Sequence, residues 1–386
     1  MGPYNDMKVY NNFNYYFADM TDKRQAHKID HLLSEIIFIT VLAVIAGADD
    51  FEEIAHYAEH KEKWLSTFLK LPGGIPSHDT FNRVLCMVDP IEFETNFIYW
   101  INDYKDQLPV SPEQDIIPVD GKTICNSRDA CKGKKAVHMV SAMSTKYSLV
   151  LGQKKCEEKS NEITAIPDLL QMIAITGAIV TIDAMGCQKN IAELILSKGA
   201  DYVLALKGNQ GNLNKEVVGF FEKVKQPEFK HYIYGQHTDI GKDHGRIETR
   251  ECTTINNLGW LIETEAWKGI KSIVRIKATV IKDGKETIEE RYYISSTNGN
   301  AELLNKVVRT HWHIENKLHW VLDVVFREDY CRLRTGNGAE NMNIIRKIAL
   351  NKMKADKSEK CSMKVKRKKC SWNDNYAAKI LWNMMA

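Results

Sequence analysis

The sequence has no long hydrophobic run and no organised cysteine motif. Its longest apolar stretch, residues 36–46, is too short to span a bilayer and lies too far inside the chain to be a signal peptide. The nine cysteines include no CxxC pair and no spacing typical of a metal finger. These absences argue against a membrane-spanning, secreted or zinc-finger protein. We therefore expect a cytoplasmic protein with reduced thiols, no membrane contact and a buried helix at 36–46.

The chain also carries little net charge, +3 over 386 residues, but its basic residues are unevenly distributed. Nine Lys or Arg side chains stand against two acids between residues 352 and 369. Such a cluster suits a phosphate backbone, although many basic runs are only solvated surface. We predict a basic C-terminal tail over 351–386. The length of the chain allows two domains, or one large domain with an insertion.

Helical periodicity dominates the first part of the chain. Residues 1–27 lack clear periodicity and predict a loosely ordered arm, whereas residues 28–108 predict an all-α N-terminal domain. Within that domain, the segment LPGGIPSHDTFNRVL breaks one helix and starts another, with Ser77 as a candidate cap and Arg83 on the new helix. Many DNA-binding domains use this arrangement, although most helical hairpins bind nothing. We predict that the domain recognises DNA.

From residue 115 the pattern changes to alternating strands and helices. Apolar runs predict strands at 116–120, 136–144, 147–153, 178–182 and 201–206, and helices at 160–173, at 188–198 and from 213. That order, β-β-β-α-β-α-β-α, is the one found in RNase-H-like nucleotidyl-transfer domains. Alternating residues then predict a β-rich insertion at about 230–297. The predicted fold class is α/β, with an RNase-H-like catalytic core over 115–350 that contains this insertion and follows the all-α N-terminal domain.

Three carboxylates are candidates for one site. Asp120 and Asp183 end two predicted strands, and open α/β sheets place their chemistry just past such ends. Glu315 lies on a predicted helix with His311 and His319 one turn away on either side. Crowded carboxylates repel one another unless they hold metal, and two Mg²⁺ ions about 4 Å apart suit phosphodiester chemistry. We predict all three acids to be catalytic and metal-binding, although a strand-end Asp such as Asp183 also commonly caps a turn.

The motifs around these acids make the chain similar to the insertion-sequence DDE transposases of the H-repeat-associated, ISAs-type family. The motifs are DGKT at 120–123, TIDAMGCQ at 181–188 and HWHIENKLHW at 311–320. The resemblance implies that Asp120, Asp183 and Glu315 are the DDE acids. It also implies Mg²⁺ as cofactor with Mn²⁺ as substitute, element terminal inverted repeats and target DNA as double-stranded substrates, and a bacterial cytoplasmic location.

Two departures from the family pattern concern residues near the acids. The family usually follows DGKT with Leu-Arg-Gly-Ser, whereas this chain has Ile-Cys-Asn-Ser at 124–127, so Cys125 replaces a basic residue. The wider group carries a Tyr-Arg-Glu-Lys signature around the third acid. Here His311 occupies the Arg position before Glu315, and Leu322 or a neighbour occupies the Lys position.

Further candidates carry less chemistry of their own. Residues proposed to contact DNA are Lys122, Lys207, His244, Arg246, Arg250, His311 and Arg83. Trp260 and Trp267 fit core packing better than base stacking. Asp323 and Glu328 are fallback third acids if Glu315 is misplaced.

The sequence as a whole predicts a DNA transposase that cuts at element ends and transfers the freed 3′-hydroxyl into target DNA, working as a homodimer on DNA. One alternative is a hydrolytic nuclease on the same core, which would cut but never join strands. The other is an inactive remnant that only binds DNA, an alternative suggested by Cys125 in place of the basic residue.

Overall fold

The computed structural model describes residues 6–109, 113–157, 162–243, 245–262, 264–382 and 384. The helices before the sheet are α1 (Asp6–Phe17), α2 (Leu33–Ala46), α3 (Phe51–Leu65), α4 (His78–Met87) and α5 (Pro90–Asp106). The strands are β1 (Ile116–Ile124), β2 (Val137–Ser144), β3 (Leu149–Lys155), β4 (Ile179–Ile182), β5 (Asp201–Leu206), β6 (Gly235–Asp243), β7 (Arg246–Ile255), β8 (Ser272–Lys282) and β9 (Lys285–Ser295). The remaining helices are α6 (Glu162–Met172), α7 (Lys189–Ser197), α8 (Gly211–Lys223), α9 (Ala301–His311), α10 (Trp320–Val324), α11 (Gly338–Ala355), α12 (Met363–Trp372) and α13 (Asp374–Trp382).

All nine described strands form one mixed sheet in the order β3-β2-β1-β4-β5-β9-β8-β7-β6. β1, β4 and β5 are parallel, and the other neighbours are antiparallel. The segment predicted as an insertion at 230–297 supplies β6 to β9. Because β9 pairs with β5, these strands extend the central sheet instead of forming a separate layer.

The two faces of the sheet are covered by different helices. Successive residues of a strand point to opposite faces, so Ile116, Ile179 and Val203 share one face. These three pack against α9 in one apolar cluster. Helices α5, α6 and α7 lie against the opposite face through residues such as Val119 and Val180. The face covered by α9 is the one that carries the candidate acids.

The helical part of the molecule is built from both ends of the chain. Every residue of α2 is buried, as its continuous apolar run predicts, and α11, α12 and α13 pack on it. The described residues of the predicted basic tail over 351–386 lie mostly in the packed helices α11, α12 and α13. Arg367 donates to the carbonyl oxygens of Val44 and Ala48, and Lys366 donates to that of Met353. These basic side chains cap backbone carbonyls in the interior.

The structure also differs from the expected loose arm at 1–27, of which residues 1–5 lie outside the described ranges. Helix α1 buries Tyr10, Phe13 and Phe17 in the main core. The Phe13 ring stacks on Phe17 at 4.5 Å and meets Phe38 of α2 edge-on at 5.0 Å. The apolar spacing of three and four residues is helical, and burial of the aromatic side chains stabilises the packed segment.

This packing predicts a large effect of a single substitution in α1. Phe13→Ala is expected to destabilise the protein by about 3 kcal/mol, because it empties a site lined by other aromatic rings. Urea unfolding of the full chain measures it, with Tyr15→Ala as the control, since the Tyr15 side chain is 78% exposed. Equal stability of the two variants would show that α1 is not packed and would support the predicted loose arm.

No helix in the described ranges is long and apolar enough to cross a membrane. All nine cysteines lie in those ranges, and each is a free thiol. Five of them are buried, so burial in apolar surroundings accounts for much of the cysteine content.

Candidate active site

The sheet register brings the first two acids side by side. β1 and β4 pair in parallel from Ile116↔Ile179 to Val119↔Ile182. Asp183 follows the end of β4 as predicted, whereas Asp120 lies inside β1, because that strand continues to Ile124 through its pairing with β2 instead of ending at 120. Both acids lie on the face covered by α9, since they follow Ile116 and Ile179 by four residues. Neighbouring strands are about 4.8 Å apart, so the backbones hold the two carboxylates at adjacent positions.

The third acid comes from the helical segment that crosses this face. After α9 the chain makes one π-helical turn, Glu315–His319, before α10 begins. In that turn the Nδ1 atom of His319 lies 3.3 Å from the Oε2 atom of Glu315 and 3.6 Å from the Oδ2 atom of Asp120. One ligand atom from each of these three residues lies within 4.8 Å of the other two. π-Helical turns are frequent at functional sites, and this one aims two polar side chains at Asp120.

The electrostatics of this cluster favour a cation. Burial, with Glu315 close by, raises the pKa of Asp120, because two carboxylates in a poorly solvated site resist ionising together. Burial lowers the pKa of His319, so its imidazole is neutral. The Nε2 atom of His319 is buried and has no hydrogen-bond partner among the described residues. Two carboxylates suit Mg²⁺ or Mn²⁺, and a neutral imidazole is a common ligand of transition metals, so the residues present fit a divalent metal.

Asp183 has a second set of contacts. Its Oδ1 atom accepts hydrogen bonds from the backbone N–H groups of Met185 at 3.0 Å and Gly186 at 3.3 Å. It therefore caps the turn after β4, and it is not part of the three-residue cluster of Asp120. His311 lies between Asp183 and the cluster of Asp120. Its Nδ1 atom lies 3.0 Å from the Thr181 hydroxyl, and the negative charges of Asp183 and Glu315 both favour its protonated form. Burial lowers the pKa of His311, which makes a cationic phosphate contact a poor description of this residue.

Gly121 allows a second acidic side chain to approach the strand next to Asp120. A Cβ atom on Gly121 would lie 2.2 Å from the Oε1 atom of Glu162 and 2.6 Å from the Nε2 atom of His138. Those two atoms lie 2.8 Å apart, and the other His138 nitrogen lies 2.8 Å from the Thr123 hydroxyl. A side chain at position 121 would therefore displace the ends of the Glu162 and His138 side chains.

Lys122 does not contribute a free cation to the site. Its Nζ atom lies 2.6 Å from the Oδ1 atom of Asp323, 2.9 Å from the Oε2 atom of Glu328 and 3.5 Å from the Oδ1 atom of Asp329. The side chain is only 9% exposed. The ion pairs and the burial argue against the predicted contact of Lys122 with DNA, and they occupy both fallback acids, Asp323 and Glu328.

The other predicted DNA contacts are dispersed. Lys207 is exposed just past β5, and Arg83 is exposed on α4. Arg246 and Arg250 line one groove beside α9, as their shared strand face predicts. His244 lies outside the described residues. Neither candidate tryptophan is available to a base: Trp267 is fully buried, and Trp260 stacks on Phe220 at 3.7 Å.

Some site residues were missed in the sequence. His319 follows Glu315 by one helical turn, so its spacing was a usable signal for a third ligand. For Arg291 and Arg309 the sequence offered no such signal, because strand β9 and helix α9 meet Arg250 only through the tertiary fold. Cys125 is exposed, and its backbone N–H lies 3.3 Å from the Oδ1 atom of Asp329. A basic residue there would meet the acids that hold Lys122.

The chain is similar to several known proteins. The family model described as "Transposase DDE domain" matches residues 111–352, and one described as "DDE_Tnp_1-associated" matches residues 15–101. The chain is 43% identical over 365 residues to the H repeat-associated putative transposase YhhI of Escherichia coli strain K12, covering 93% of this chain and 95% of YhhI. It is 43% identical over 370 residues to the putative transposase YncI of Escherichia coli O157:H7, covering 95% and 93%. Its structure matches the piggyBac transposase of a synaptic complex with hairpin DNA at a TM-score of 0.43 and 10% identity, over 99% of this chain and 81% of that one.

Proposed function

Because this chain belongs to the H-repeat-associated family of DDE transposases, we propose that it cuts DNA at the ends of a mobile element and joins those ends to target DNA. One observation carries the proposal: Asp120, Glu315 and His319 converge within 4.8 Å. Asp183 adds a further carboxylate at the adjacent strand end. The strand order β3-β2-β1-β4-β5, with β1, β4 and β5 parallel, supports an RNase-H-like core as the scaffold.

Asp120, Asp183 and Glu315 are the proposed metal ligands, with His319 as a further nitrogen ligand. At these residues a pair of Mg²⁺ or Mn²⁺ ions would supply activation of the attacking oxygen and charge stabilisation at the leaving oxygen. The chain itself fixes the acids at three points: the middle of β1, the residue after β4 and one π-helical turn. His311 holds its neutral ring against Thr181, which orients it between Asp183 and Glu315.

The same site performs both proposed steps in turn. In the first, water attacks the phosphodiester at the element end and leaves a free 3′-hydroxyl. In the second, that hydroxyl attacks a phosphodiester of the target, and a new strand junction replaces the broken one. Each step exchanges one P–O bond for another, so neither needs an external energy source. Two element ends must be joined in one complex, which is why we propose a homodimer on DNA.

The helical region before the sheet is proposed to recognise the terminal inverted repeat. Its α4 begins after Ser77, whose hydroxyl accepts from the Thr80 N–H at 3.3 Å, and it presents Arg83 to solvent. The break at 71–77 before this helix gives the helix–break–helix shape that many DNA-binding domains use.

The proposal is tested by a combined cleavage and joining assay. A labelled duplex carrying the inverted repeat that flanks the coding sequence is incubated with the protein, a supercoiled plasmid and Mg²⁺ or Mn²⁺, with EDTA as control. We expect nicking at the element end and label joined to the plasmid, both only with metal. Cleavage without joining would indicate the hydrolytic nuclease.

If the duplex binds but is neither cut nor joined, the remnant interpretation replaces the proposal. Cys125→Arg is then the rescue variant, because it restores the basic residue that the family usually carries near the first acid. Binding alone decides nothing, since all three candidates neutralise phosphates and share a salt dependence.

A further inference from the structure

A groove rich in arginine lies beside the acids on the same face of the sheet. It runs between strands β7 to β9 and the helical segment that carries Glu315, and it encloses about 440 Å³. We call it the arginine groove, defined by Arg246, Arg250, Arg291, Arg309 and Trp312. The proposed chemistry uses none of these five side chains.

The fold places this groove next to the acids for a simple reason. Arg309 and Trp312 lie on the same helical segment as Glu315, about one turn apart, so one segment serves both sites. On the sheet, Arg250 pairs opposite Ala278 and Arg291 opposite Ile276. A DNA strand that leaves the acids along this segment therefore passes over the groove.

The positive charges of the groove are poorly balanced. The Glu248 carboxylate is shared by three guanidinium groups, those of Arg246 at 4.0 Å, Arg250 at 3.6 Å and Arg309 at 4.0 Å. None of these distances is a hydrogen bond. Arg291 instead pairs with Glu289 through two hydrogen bonds of 2.7 and 2.8 Å. Three guanidinium groups thus compete for one carboxylate.

Arg250 shows the imbalance most clearly. It is 8% exposed, and its buried Nε atom lacks a hydrogen-bond partner within the described ranges. Burial lowers the pKa of Arg250, and the positive charges of Arg309 and Arg291 act in the same direction. A buried cation without a matched anion is costly, so an anionic ligand in the groove would offset that cost.

We propose that the arginine groove binds a phosphodiester of an unpaired DNA strand adjoining the cleavage site. Guanidinium forks match the oxygens of a phosphate, and several of them converge here. The groove is a cleft of about 440 Å³ between a helical segment and the sheet, a size suited to one strand. Trp312 is 42% exposed beside it, and a cationic groove with an aromatic wall is the usual binding surface for single strands. The inference rests on the proposed function, because the strand that the groove would bind is produced by that reaction.

Two variants with opposite expected effects test the inference. Arg309→Gln removes a guanidinium whose side chain is 49% exposed, so the fold should tolerate it. Glu248→Gln removes the shared carboxylate and leaves the guanidinium groups free for phosphate. Fluorescence anisotropy of a labelled single-stranded oligonucleotide, in EDTA and over a range of salt, measures the affinity of the full chain.

We expect Arg309→Gln to weaken binding about tenfold and to reduce the salt slope by about 0.7, the value for one phosphate contact on a single strand. Glu248→Gln is expected to tighten binding several-fold. A purely structural role for this cluster predicts the opposite sign for Glu248→Gln, since the loss of the shared partner would disorder the arginines. Arg332→Gln, an exposed arginine in a different cavity, is the matched control and should leave affinity unchanged.

Unchanged affinity in both groove variants, or equal weakening in both, would overturn the inference. Because binding is measured without metal, this result does not depend on catalysis. A wild type that cuts and joins DNA but fails this test refutes only the groove. A wild type that binds as expected but never cuts refutes the proposed function while the groove stands.

Discussion

Replacing Asp120 by asparagine is expected to reduce metal-dependent cleavage at element ends by at least about a thousandfold, equivalent to about 4 kcal/mol of transition-state stabilisation. The same variant should be more stable than wild type in EDTA at alkaline pH. The reason is that the Asp120 carboxylate is buried beside Glu315, and asparagine keeps the shape without the charge. Cleavage of the labelled duplex and thermal unfolding in EDTA and in Mn²⁺ measure the two effects.

The sign of the pH dependence follows from the raised pKa of Asp120 in the folded protein. As pH rises above about 4, the unfolded chain loses this proton before the folded protein does, so wild-type stability falls. The asparagine side chain that replaces it does not titrate, so the stability advantage of Asp120→Asn should grow with pH over the same range. Mn²⁺ should reverse the order, because it stabilises wild type by binding and finds one ligand fewer in the variant.

Two comparison variants make this result specific. Asp183→Asn should also lose cleavage but gain no stability, since its Oδ1 atom accepts two backbone hydrogen bonds that asparagine can also accept. Asp239→Asn, at an exposed carboxylate of β6, should change neither property. Full cleavage activity in Asp120→Asn would remove the acid cluster from the mechanism.

Local patterns were enough to predict much of the sheet and the position of its acids. Strand β5 occupies the predicted residues 201–206, because a short apolar run with an acidic start has few other structures available. Asp120 and Asp183 were paired from the rule for strand ends, and the parallel register of β1 and β4 brings them to adjacent positions. The rule holds for Asp183 only, because β1 continues past Asp120 to Ile124. How the β-rich segment joins the sheet was not predictable, because the pairing of β9 with β5 links residues about 90 positions apart.

The failures have equally specific causes. Residues 1–27 were predicted to be a loose arm although Tyr10, Phe13 and Phe17 have helical spacing, because the polar residues between them obscure this apolar face. The basic run at the end of the chain was predicted to be a tail because charge density does not show which group each basic side chain contacts. In the structure, Lys366 and Arg367 donate hydrogen bonds to buried carbonyl groups. The π-helical turn that aligns Glu315 with His319 has no sequence signature, so the four-residue spacing was the available signal for His319.

Lys122→Met is expected to destabilise the protein by about 3–5 kcal/mol, the usual cost of removing one partner of a buried ion pair. The ammonium group of Lys122 neutralises three carboxylates, and one of them, Glu328, is fully buried. Without Lys122, Glu328 keeps the Asn343 side-chain amide at 2.7 Å and the Arg346 guanidinium at 3.6 Å. Two further acids at 323 and 329 then lose their common cation. Urea unfolding at neutral pH measures the loss of stability.

The pH dependence of this loss separates an ion-pair role from a DNA-contact role. Lys122 helps to hold the pKa of Glu328 below its usual range, so this contribution to stability is present above the ordinary carboxyl pKa and is lost as the pH falls. The difference between wild type and Lys122→Met should therefore shrink towards acid pH. Lys207→Met, at an exposed lysine, is the matched control and should leave stability unchanged at every pH. If Lys122→Met is instead as stable as wild type but binds duplex DNA with a smaller salt slope, Lys122 contacts phosphate and its ion pairs form only in the absence of DNA.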